Sequence, residues 1–172
     1  MNLFVFYLGG RTSGCRIELH DVAFCVAQKV EDCYESVKNQ WFGEPKGLHL
    51  DAYAILTHAD GHHIRIREQE ESQNLPDEQL FFINLGGYDP RHFTEIHKTG
   101  FYVARTEQEA KAKAKSEIGQ NLDVLHTDDV VDIDDCLNVS EYSGKYRLHL
   151  IPVAPDEALD DIEYICGYHL VP

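Results

Sequence analysis

The spacing of apolar residues in the first part of the chain predicts short strands and one helix. Leu3 to Leu8 is apolar at odd and even positions alike, which is typical of a central strand buried on both faces. From His20 to Val26 every second residue is apolar apart from the histidine, so this side chain is expected on the apolar face. Val30 to Trp41 has apolar residues at helical spacing. The remaining predicted elements are a strand at Leu48 to Thr57, a tight turn at Asp60-Gly61 and a return strand at His63 to Arg67.

The same pattern occurs a second time, 77 residues further along the chain. At this offset LFVFYLGG (3–10) aligns with LFFINLGG (80–87), and ELHDVAFCVA (18–27) aligns with EIHKTGFYVA (95–104). LHLDAY (48–53) also aligns with LHTDDV (125–130). Three matched blocks at one offset indicate a tandem duplication.

The second copy predicts the same elements with local differences. Its helix begins at Thr106 with Glu109 as a capping box and ends near Gly119. About six inserted residues are expected around Asp135 to Tyr142, before a return strand at Tyr146 to Ile151.

These elements predict an α+β protein built from two β-β-α-β-β units, with antiparallel or mixed sheets and one helix in each unit. The expected boundaries are a first unit at 1–67, a polar linker at 68–79, a second unit at 80–152 and a tail at 153–172. The tail sequence IEYICGYHLV would add one more strand.

Composition excludes several classes of function. Thirty acidic residues against fifteen Lys and Arg give a formal net charge of -15, which opposes binding to nucleic acid or to anionic membranes. The chain has no long apolar run and five cysteines without a C-x-x-C pair, so we expect a soluble cytoplasmic protein with reduced thiols. A basic protein partner would suit the acidic C-terminal half, and a homo-oligomer is compatible with open sheet edges.

A small set of polar residues is kept in both copies and forms the candidate site. Within each Glu-x-His or His-x-Asp pair the two residues are two positions apart, so on a strand their side chains project to the same side. Imidazoles and carboxylates brought together suit a divalent transition metal or acid-base chemistry. The structural alternative is that the histidines satisfy buried backbone groups. The set comprises Glu18, His20, His49 and Asp51, with Glu95, His97, His126 and Asp128 as their expected equivalents.

Other candidates have simpler interpretations. Two glycines end the first strand of each copy. They are expected to form turns, because no phosphate-binding Lys-Ser/Thr follows. Three histidines near the first hairpin have no counterpart in the second copy, so we expect no shared function for them. Cys25 and Cys33 are expected to fill the core. The glycines are Gly9, Gly10, Gly86 and Gly87, and the histidines are His58, His62 and His63.

The motifs Leu-Gly-Gly, Glu-Leu-His-Asp and Trp-Phe-Gly of the first copy resemble those of the bacterial family catalogued as domain of unknown function 1543. The resemblance covers residues 1–67 well and 80–151 more loosely. In the second copy Lys98 replaces Asp21 of the motif. The resemblance implies a bacterial, cytosolic, tandem protein and no particular activity.

Three classes of function remain open from the residues. The first is a non-enzymatic binding or protein-interaction module, since no nucleophile and base pair and no cofactor loop is recognised. The second is a metal-binding protein or metal-dependent enzyme that uses the duplicated Glu-x-His and His-x-Asp pairs. The third is a structural or assembly role. No cofactor other than a divalent metal is indicated, and whether the protein is an enzyme stays open, with a non-enzyme favoured.

Overall fold

The computed structural model describes residues 1–68, 77–88, 91–121 and 131–172, with the backbone alone described for 118–121 and 131–132. Its described elements are mainly β-strands, with two α-helices. The strands are β1 (Asn2–Gly10), β2 (Leu19–Ala27), β3 (His49–Ile55), β4 (His58–Ala59), β5 (His62–Glu68), β6 (Gln79–Gly87), β7 (Ile96–Ala104), β8 (Val131–Asn138), β9 (Tyr146–Pro152) and β10 (Ile165–Leu170). The α-helices of the described residues are α1 (Tyr34–Gln40) and α2 (Glu107–Asn121), and 3₁₀ turns lie at Val30–Cys33 and Val139–Tyr142.

The strands form three antiparallel sheets. Their strand orders are β10-β3-β1-β2, β7-β6-β8 and β4-β5-β9. In the first sheet β1 lies between β2 and β3, and in the second β6 lies between β7 and β8. The apolar runs of these central strands, which Asn84 interrupts in β6, follow from their position, since each strand is covered on both faces. The α+β class and the antiparallel pairing are therefore confirmed.

The two larger sheets pack against each other through one central core. Leu3 and Phe24 of the first half lie in the same buried cluster as Leu80 and Phe82 of the second half. The rings of Phe24 and Phe82 meet edge to face with centroids 5.6 Å apart. We call the two sheet surfaces that face this core the inner faces.

A helix covers the outer face of each of these sheets. Val37 of α1 packs with Phe6 of β1, and Ala110 and Ala114 of α2 pack with Ile83 of β6. Both alanines are fully buried, so the thin apolar side of α2 allows a close approach to the sheet. Thr106 caps α2 as predicted, because its hydroxyl accepts a hydrogen bond from the Glu109 backbone N–H at 3.2 Å.

The third sheet joins the two halves. The return strand of the first hairpin, β5, pairs with its counterpart β9 in the second half, and Arg65 lies opposite His149. The first hairpin turns at Asp60 and Gly61, both with positive φ, as a tight two-residue turn requires. The edge strands β5 and β9 of the two units thus form hydrogen bonds with each other within one chain.

The C-terminal tail extends the first sheet. Its strand β10 pairs with β3, and the pairing is irregular between Cys166 and His169. Residues 69–76 of the expected linker lie outside the described residues. No helix in the described parts of the chain has the length and apolar composition of a membrane span.

The expected position of the insertion in the second copy is wrong. His49 lies opposite Gly9 in the β1–β3 pair, whereas Asp132 lies opposite Gly86 in the β6–β8 pair. The first separation is 40 residues and the second 46. The six extra residues therefore precede β8 and do not lie around Asp135 to Tyr142.

Candidate functional site

The inner face of the first sheet changes from apolar to polar toward one end of its strands. Along β1, Leu3 and Val5 point into the central core, and Gly9 follows on the same face. Gly9 lies opposite His20 of β2 on one side and opposite His49 of β3 on the other. The central strand thus brings together two histidines that are 29 positions apart in sequence.

Four of the predicted residues form one cluster around Gly9. His20 Nε2 lies 3.2 Å from Asp51 Oδ2, and His49 Nε2 lies 3.3 Å from Asp51 Oδ1. The Glu18 carboxylate lies 3.8 Å from His49 Nε2. We call Glu18, His20, His49 and Asp51 the first cluster.

His49 is held in a fixed orientation inside this cluster. Its side chain is 1% exposed, and its Nδ1 lies 2.8 Å from the Gly47 carbonyl oxygen. A carbonyl can only accept, so Nδ1 carries the proton and donates it. The Tyr168 ring from β10 lies over the imidazole with its centroid 4.0 Å away. The other nitrogen, Nε2, is therefore directed at the carboxylates.

Two buried polar atoms of the first cluster have no hydrogen-bond partner among the described residues. They are His49 Nε2 and Asp51 Oδ2, although each has an oppositely charged or polar neighbour within 3.3 Å. The atoms are close without hydrogen-bond alignment. Buried polar groups almost always have a hydrogen-bond partner. Two neighbouring buried atoms without one therefore indicate a site for a ligand.

The glycine of the central strand makes this close approach possible. A Cβ on Gly9 would lie 2.4 Å from His49 Nε2 and 2.6 Å from Asp51 Oδ2, which is too close for any side chain. Gly10 in turn faces the Trp41 ring, 2.7 Å from where a Cβ would be. Both glycines lie within β1 and have no positive φ, so their expected role in a turn is wrong. Their function is to give space to side chains from neighbouring strands.

The second half has a related cluster at the matching position. His97 Nε2 lies 3.4 Å from Glu95 Oε2 and 3.5 Å from Asp134 Oδ2. Gly86 has the role of Gly9, since a Cβ there would lie 2.5 Å from Glu95 and 2.6 Å from Asp134. Gly86 and Gly87 also lie in a strand rather than a turn. We call Glu95, His97 and Asp134 the second cluster.

The aspartate of each cluster occupies a β-bulge. In the first sheet the register shifts between Tyr7 and Leu8, which leaves Asp51 as the extra residue of β3. The shift between Asn84 and Leu85 leaves Asp134 as the extra residue of β8. A bulge redirects the side chain at that position, and bulges are common beside functional sites.

Two of the predicted equivalences in the second half are wrong. The register places Asp132 where the first sheet has His49, and Asp134 where it has Asp51. His126 and Asp128, chosen from the gapless offset, lie outside the described residues. The useful signal was the alternation of Leu48-His-Leu-Asp with Val131-Asp-Ile-Asp, which appears once a gap is allowed before β8.

A tyrosine lies beside each cluster. The Tyr7 ring stacks on His20 with centroids 5.2 Å apart, and burial together with the negative charge of Asp51 raises the pKa of its hydroxyl. In the second half, the charge of Glu95 and its hydrogen bond from the Tyr88 hydroxyl raise the pKa of that tyrosine. The negative charge of a neighbouring carboxylate contributes to both pKa shifts, after burial for Tyr7 and as the largest cause for Tyr88.

The three histidines of the first hairpin do not join either cluster. His62 Nδ1 lies 2.7 Å from the Asp60 carbonyl oxygen, and His63 Nε2 lies 2.7 Å from Glu157. His58 Nδ1 lies 3.0 Å from the Thr57 hydroxyl. Their partners are groups of the hairpin and the tail, and His62 Nε2 also lies 3.7 Å from Glu78.

The donor spacings of the second cluster fit a metal ion, since one ligand atom from each of Glu95, His97 and Asp134 lies within 4.8 Å of the other two. Ligand atoms that surround a tetrahedral zinc ion at roughly 2.0–2.2 Å lie roughly 3.3 Å from one another. The nitrogen-to-oxygen distances of the first cluster run from 3.2 to 3.8 Å, and those of the second are 3.4 and 3.5 Å. Mixed imidazole and carboxylate donors suit Zn²⁺, Fe²⁺ or Mn²⁺.

The family model named Domain of Unknown Function (DUF1543) matches residues 15–66 and 92–141, more than half of the chain. The chain belongs to this family. The two matched segments correspond to the two tandem copies, and each contains one cluster. The resemblance stated from the sequence motifs is thereby confirmed.

A solved structure with a similar fold covers nearly the whole chain. The crystal structure of a protein Il1583 from Idiomarina loihiensis is 29% identical, with a TM-score of 0.71 over 99% of this chain and 97% of that one. Comparison with curated proteins found no match. The comparisons therefore give the family and the fold of this chain.

Proposed function

We propose that this DUF1543 protein binds a divalent transition metal, with the first cluster as the principal site. The observation that carries the proposal is His49. Its imidazole is buried, its Nδ1 donates to the Gly47 carbonyl, and its Nε2 has no hydrogen-bond partner in the described chain. Metal-binding histidines usually donate their second nitrogen to a carbonyl or carboxylate in this way.

A purely electrostatic role for His49 accounts less well for the geometry. A charged imidazolium would need its Nε2–H to bond an acceptor, and burial of a charge without such a bond is costly. A neutral ring would direct a lone pair at Asp51 and Glu18, which repels. A cation among these atoms removes both difficulties.

The donor set leaves one position around the metal that can be exchanged. His20 Nε2 and His49 Nε2 lie 3.2 and 3.3 Å from the two different oxygens of Asp51, so this carboxylate contacts both imidazoles. Glu18 is further away at 3.8 Å, and its side chain is 39% exposed. A zinc ion would draw His20 and His49 together around Asp51, and a replaceable fourth ligand such as Glu18 is typical of zinc sites that accept a small molecule.

The proposal is tested by metal content and titration. The His97→Ala background isolates the first cluster, and protein purified without chelator is analysed by inductively coupled plasma mass spectrometry and then titrated with Zn²⁺ by calorimetry. We expect close to one equivalent of metal, and an additional His49→Ala substitution should weaken binding by more than the roughly 10–100-fold typical of outer-shell changes.

His58→Ala in the same background is the matched control, because it removes a histidine of the first hairpin and leaves the cluster intact. Circular dichroism checks that each variant folds. Equal zinc affinity in the His49→Ala and parent proteins, or a loss that follows His58→Ala instead, would rule out the first cluster as the site.

We also propose a binding module for a basic protein partner as a second function. A groove of about 400 Å³ lies between the first sheet and the tail, and its walls carry Tyr53 and Ile55 together with four acidic residues. Opposite charge would give such a partner salt-dependent binding. A labelled Lys-rich peptide should bind more weakly to an Asp160→Asn/Asp161→Asn variant, and unchanged binding would contradict this role. The four acidic residues are Glu157, Asp160, Asp161 and Glu163.

The finer organisation of the chain is part of the same proposal. We propose that the halves derive from one duplicated β-β-α-β-β unit, with unit boundaries at 1–67 and 80–152 and a tail at 153–172. The two family-model segments and the matching bulges support it. A cytoplasmic location accords with the five free cysteines.

A further inference from the structure

A small cleft opens where the two inner faces separate beyond the central core. Its volume is about 250 Å³. Residues of the first sheet, the second sheet and the tail all line it, so a molecule inside would contact both halves at once. The lining residues used below are Val5, Tyr7, Val22, Ala52, Thr99 and Phe101.

The cleft lies next to the first cluster on three strands. Along β1 the lining ends at Tyr7, two residues before Gly9, and Tyr7 stacks on His20. Along β2 it ends at Val22, two residues from His20, and along β3 it ends at Ala52, which adjoins Asp51. Because alternate residues of a strand share a face, the same inner surface continues from the cleft to the cluster.

The second sheet closes the opposite wall. Phe101 and Thr99 of β7 line the cleft, and His97 follows two residues further along that strand. Phe101 belongs to the buried central core, whereas Thr99 is exposed at the opening. The cleft is therefore apolar at its base and is bordered by metal-binding groups at its rim.

Size and lining together select the kind of molecule that fits. A cavity of about 150 Å³ with apolar walls accommodates a benzene ring, so 250 Å³ has room for one ring and a short substituent. Aromatic walls such as those from Tyr7 and Phe101 favour an aromatic guest through edge and stacking contacts. The metal at the rim would attract an anionic oxygen group.

We propose that the cleft binds a small aromatic molecule whose anionic oxygen head joins the metal of the first cluster. This inference rests on the proposed metal site and adds the class of its ligand. The head takes the position that Glu18 can vacate, and the ring enters the cleft past Tyr7.

The experiment compares two probes that share a metal-binding head. Benzohydroxamate carries a phenyl ring and acetohydroxamate a methyl group, and each is titrated by calorimetry into zinc-loaded protein and into metal-free protein. We expect benzohydroxamate to bind the zinc-loaded protein at least about tenfold more tightly than acetohydroxamate, since the ring is buried in the cleft. Neither probe should bind tightly without metal.

A matched pair of variants locates the ring. Thr99→Trp fills the opening of the cleft from an exposed position, so the fold has little to accommodate. Lys98→Trp adds the same side chain at the next residue, which is absent from the lining of the cleft. The preference for benzohydroxamate should disappear in Thr99→Trp and persist in Lys98→Trp.

Each outcome separates this inference from the proposed metal site. Equal affinity of the two hydroxamates for zinc-loaded protein, or a preference that survives Thr99→Trp, would overturn the aromatic ligand and leave the metal site standing. A protein that takes up no zinc in the same titrations would overturn the metal site itself.

Discussion

The two halves place the same kind of cluster at the same strand positions, yet they enclose it differently. The His49 side chain of the first cluster is 1% exposed and lies beneath Tyr168. The equivalent histidines of the two clusters, His20 and His97, are 37% and 52% exposed. The first sheet has an added strand, β10, and a histidine where the second sheet has Asp132. The first half thus adds one buried imidazole to an arrangement that both halves share.

This difference concerns features that one half adds to an arrangement present in both. The glycine, the bulged aspartate and the Glu-x-His pair occur in both halves, which indicates that they belong to the common unit. The tail strand and the second imidazole are found in the first half of the described chain only. A buried site excludes water and strengthens electrostatic interactions, so we expect the first cluster to hold a metal more tightly.

The largest expected effect comes from adding one methyl group at the glycine of each cluster. Gly9→Ala places a Cβ against the buried His49 imidazole, which has no space to move, so we expect a loss of about 2–3 kcal/mol in the free energy of unfolding. In Gly86→Ala the Cβ meets exposed carboxylates that can rotate away, and the loss should stay below about 1 kcal/mol. Urea denaturation of both variants measures the difference. Equal losses would show that His49 is not confined.

The next effect exchanges the residue that distinguishes the clusters. His49→Asp gives the first sheet the residue that the second sheet has at this register position, so the affinity of the first cluster for Zn²⁺ should fall at least about tenfold relative to Mn²⁺, which prefers oxygen donors. Asp132→His is the reciprocal change and should raise the zinc affinity of the second half. Competition titrations with a chromophoric chelator give both values. If neither substitution changes the preference for Zn²⁺ over Mn²⁺, the residue at this register position does not distinguish the two halves.

A smaller effect is expected from the cover over His49. Tyr168→Ala removes a ring whose centroid lies 4.0 Å from the imidazole, and should cost about 0.5–1.5 kcal/mol of stability. It should also speed the transfer of zinc to a competing chelator, because the site becomes accessible to solvent. The exposed neighbour Tyr164, which lines the cleft instead, provides the control as Tyr164→Ala. Unchanged transfer rates in Tyr168→Ala would exclude a covering role.

The smallest expected effect is that of His126→Ala, which tests the strand register against the gapless alignment. His126→Ala should leave metal binding in the second half unchanged, whereas Asp134→Ala should abolish it. The measurement is zinc titration in a His49→Ala background, which removes the first site. Loss of binding in His126→Ala would support the alignment at an offset of 77 and contradict the equivalence that the strand register defines.

Much of the fold was predictable because it depends on local patterns. The apolar run at Leu3 to Leu8 indicated a central strand, and Asp60-Gly61 indicated a tight turn. Thr106 and Glu109 indicated the start of the second helix. Each of these signals acts within a few residues, so no knowledge of the tertiary structure was needed.

The roles of the glycines and the second set of site residues were not predictable in the same way. The sequence around Gly9 is typical of a turn. Its actual role depends on His49 and Asp51 of another strand, whose side chains occupy the space that a Cβ at Gly9 would need. The insertion before β8 breaks the repeat, so a gapless comparison selects His126 and not Asp132. Only the pairing of β6 with β8 corrects the register.

The sequence by itself determined the duplication, the α+β class and the fact that Glu18 and His20 share one side of a strand. These follow from a repeated pattern and from the two-residue period of extended backbone. The tertiary structure alone decided that His20 and His49 meet across Gly9, that Asp51 bulges toward them and that the halves enclose a common cleft. Such contacts join residues far apart in the chain, and their geometry depends on strand register and sheet packing, which no local pattern specifies.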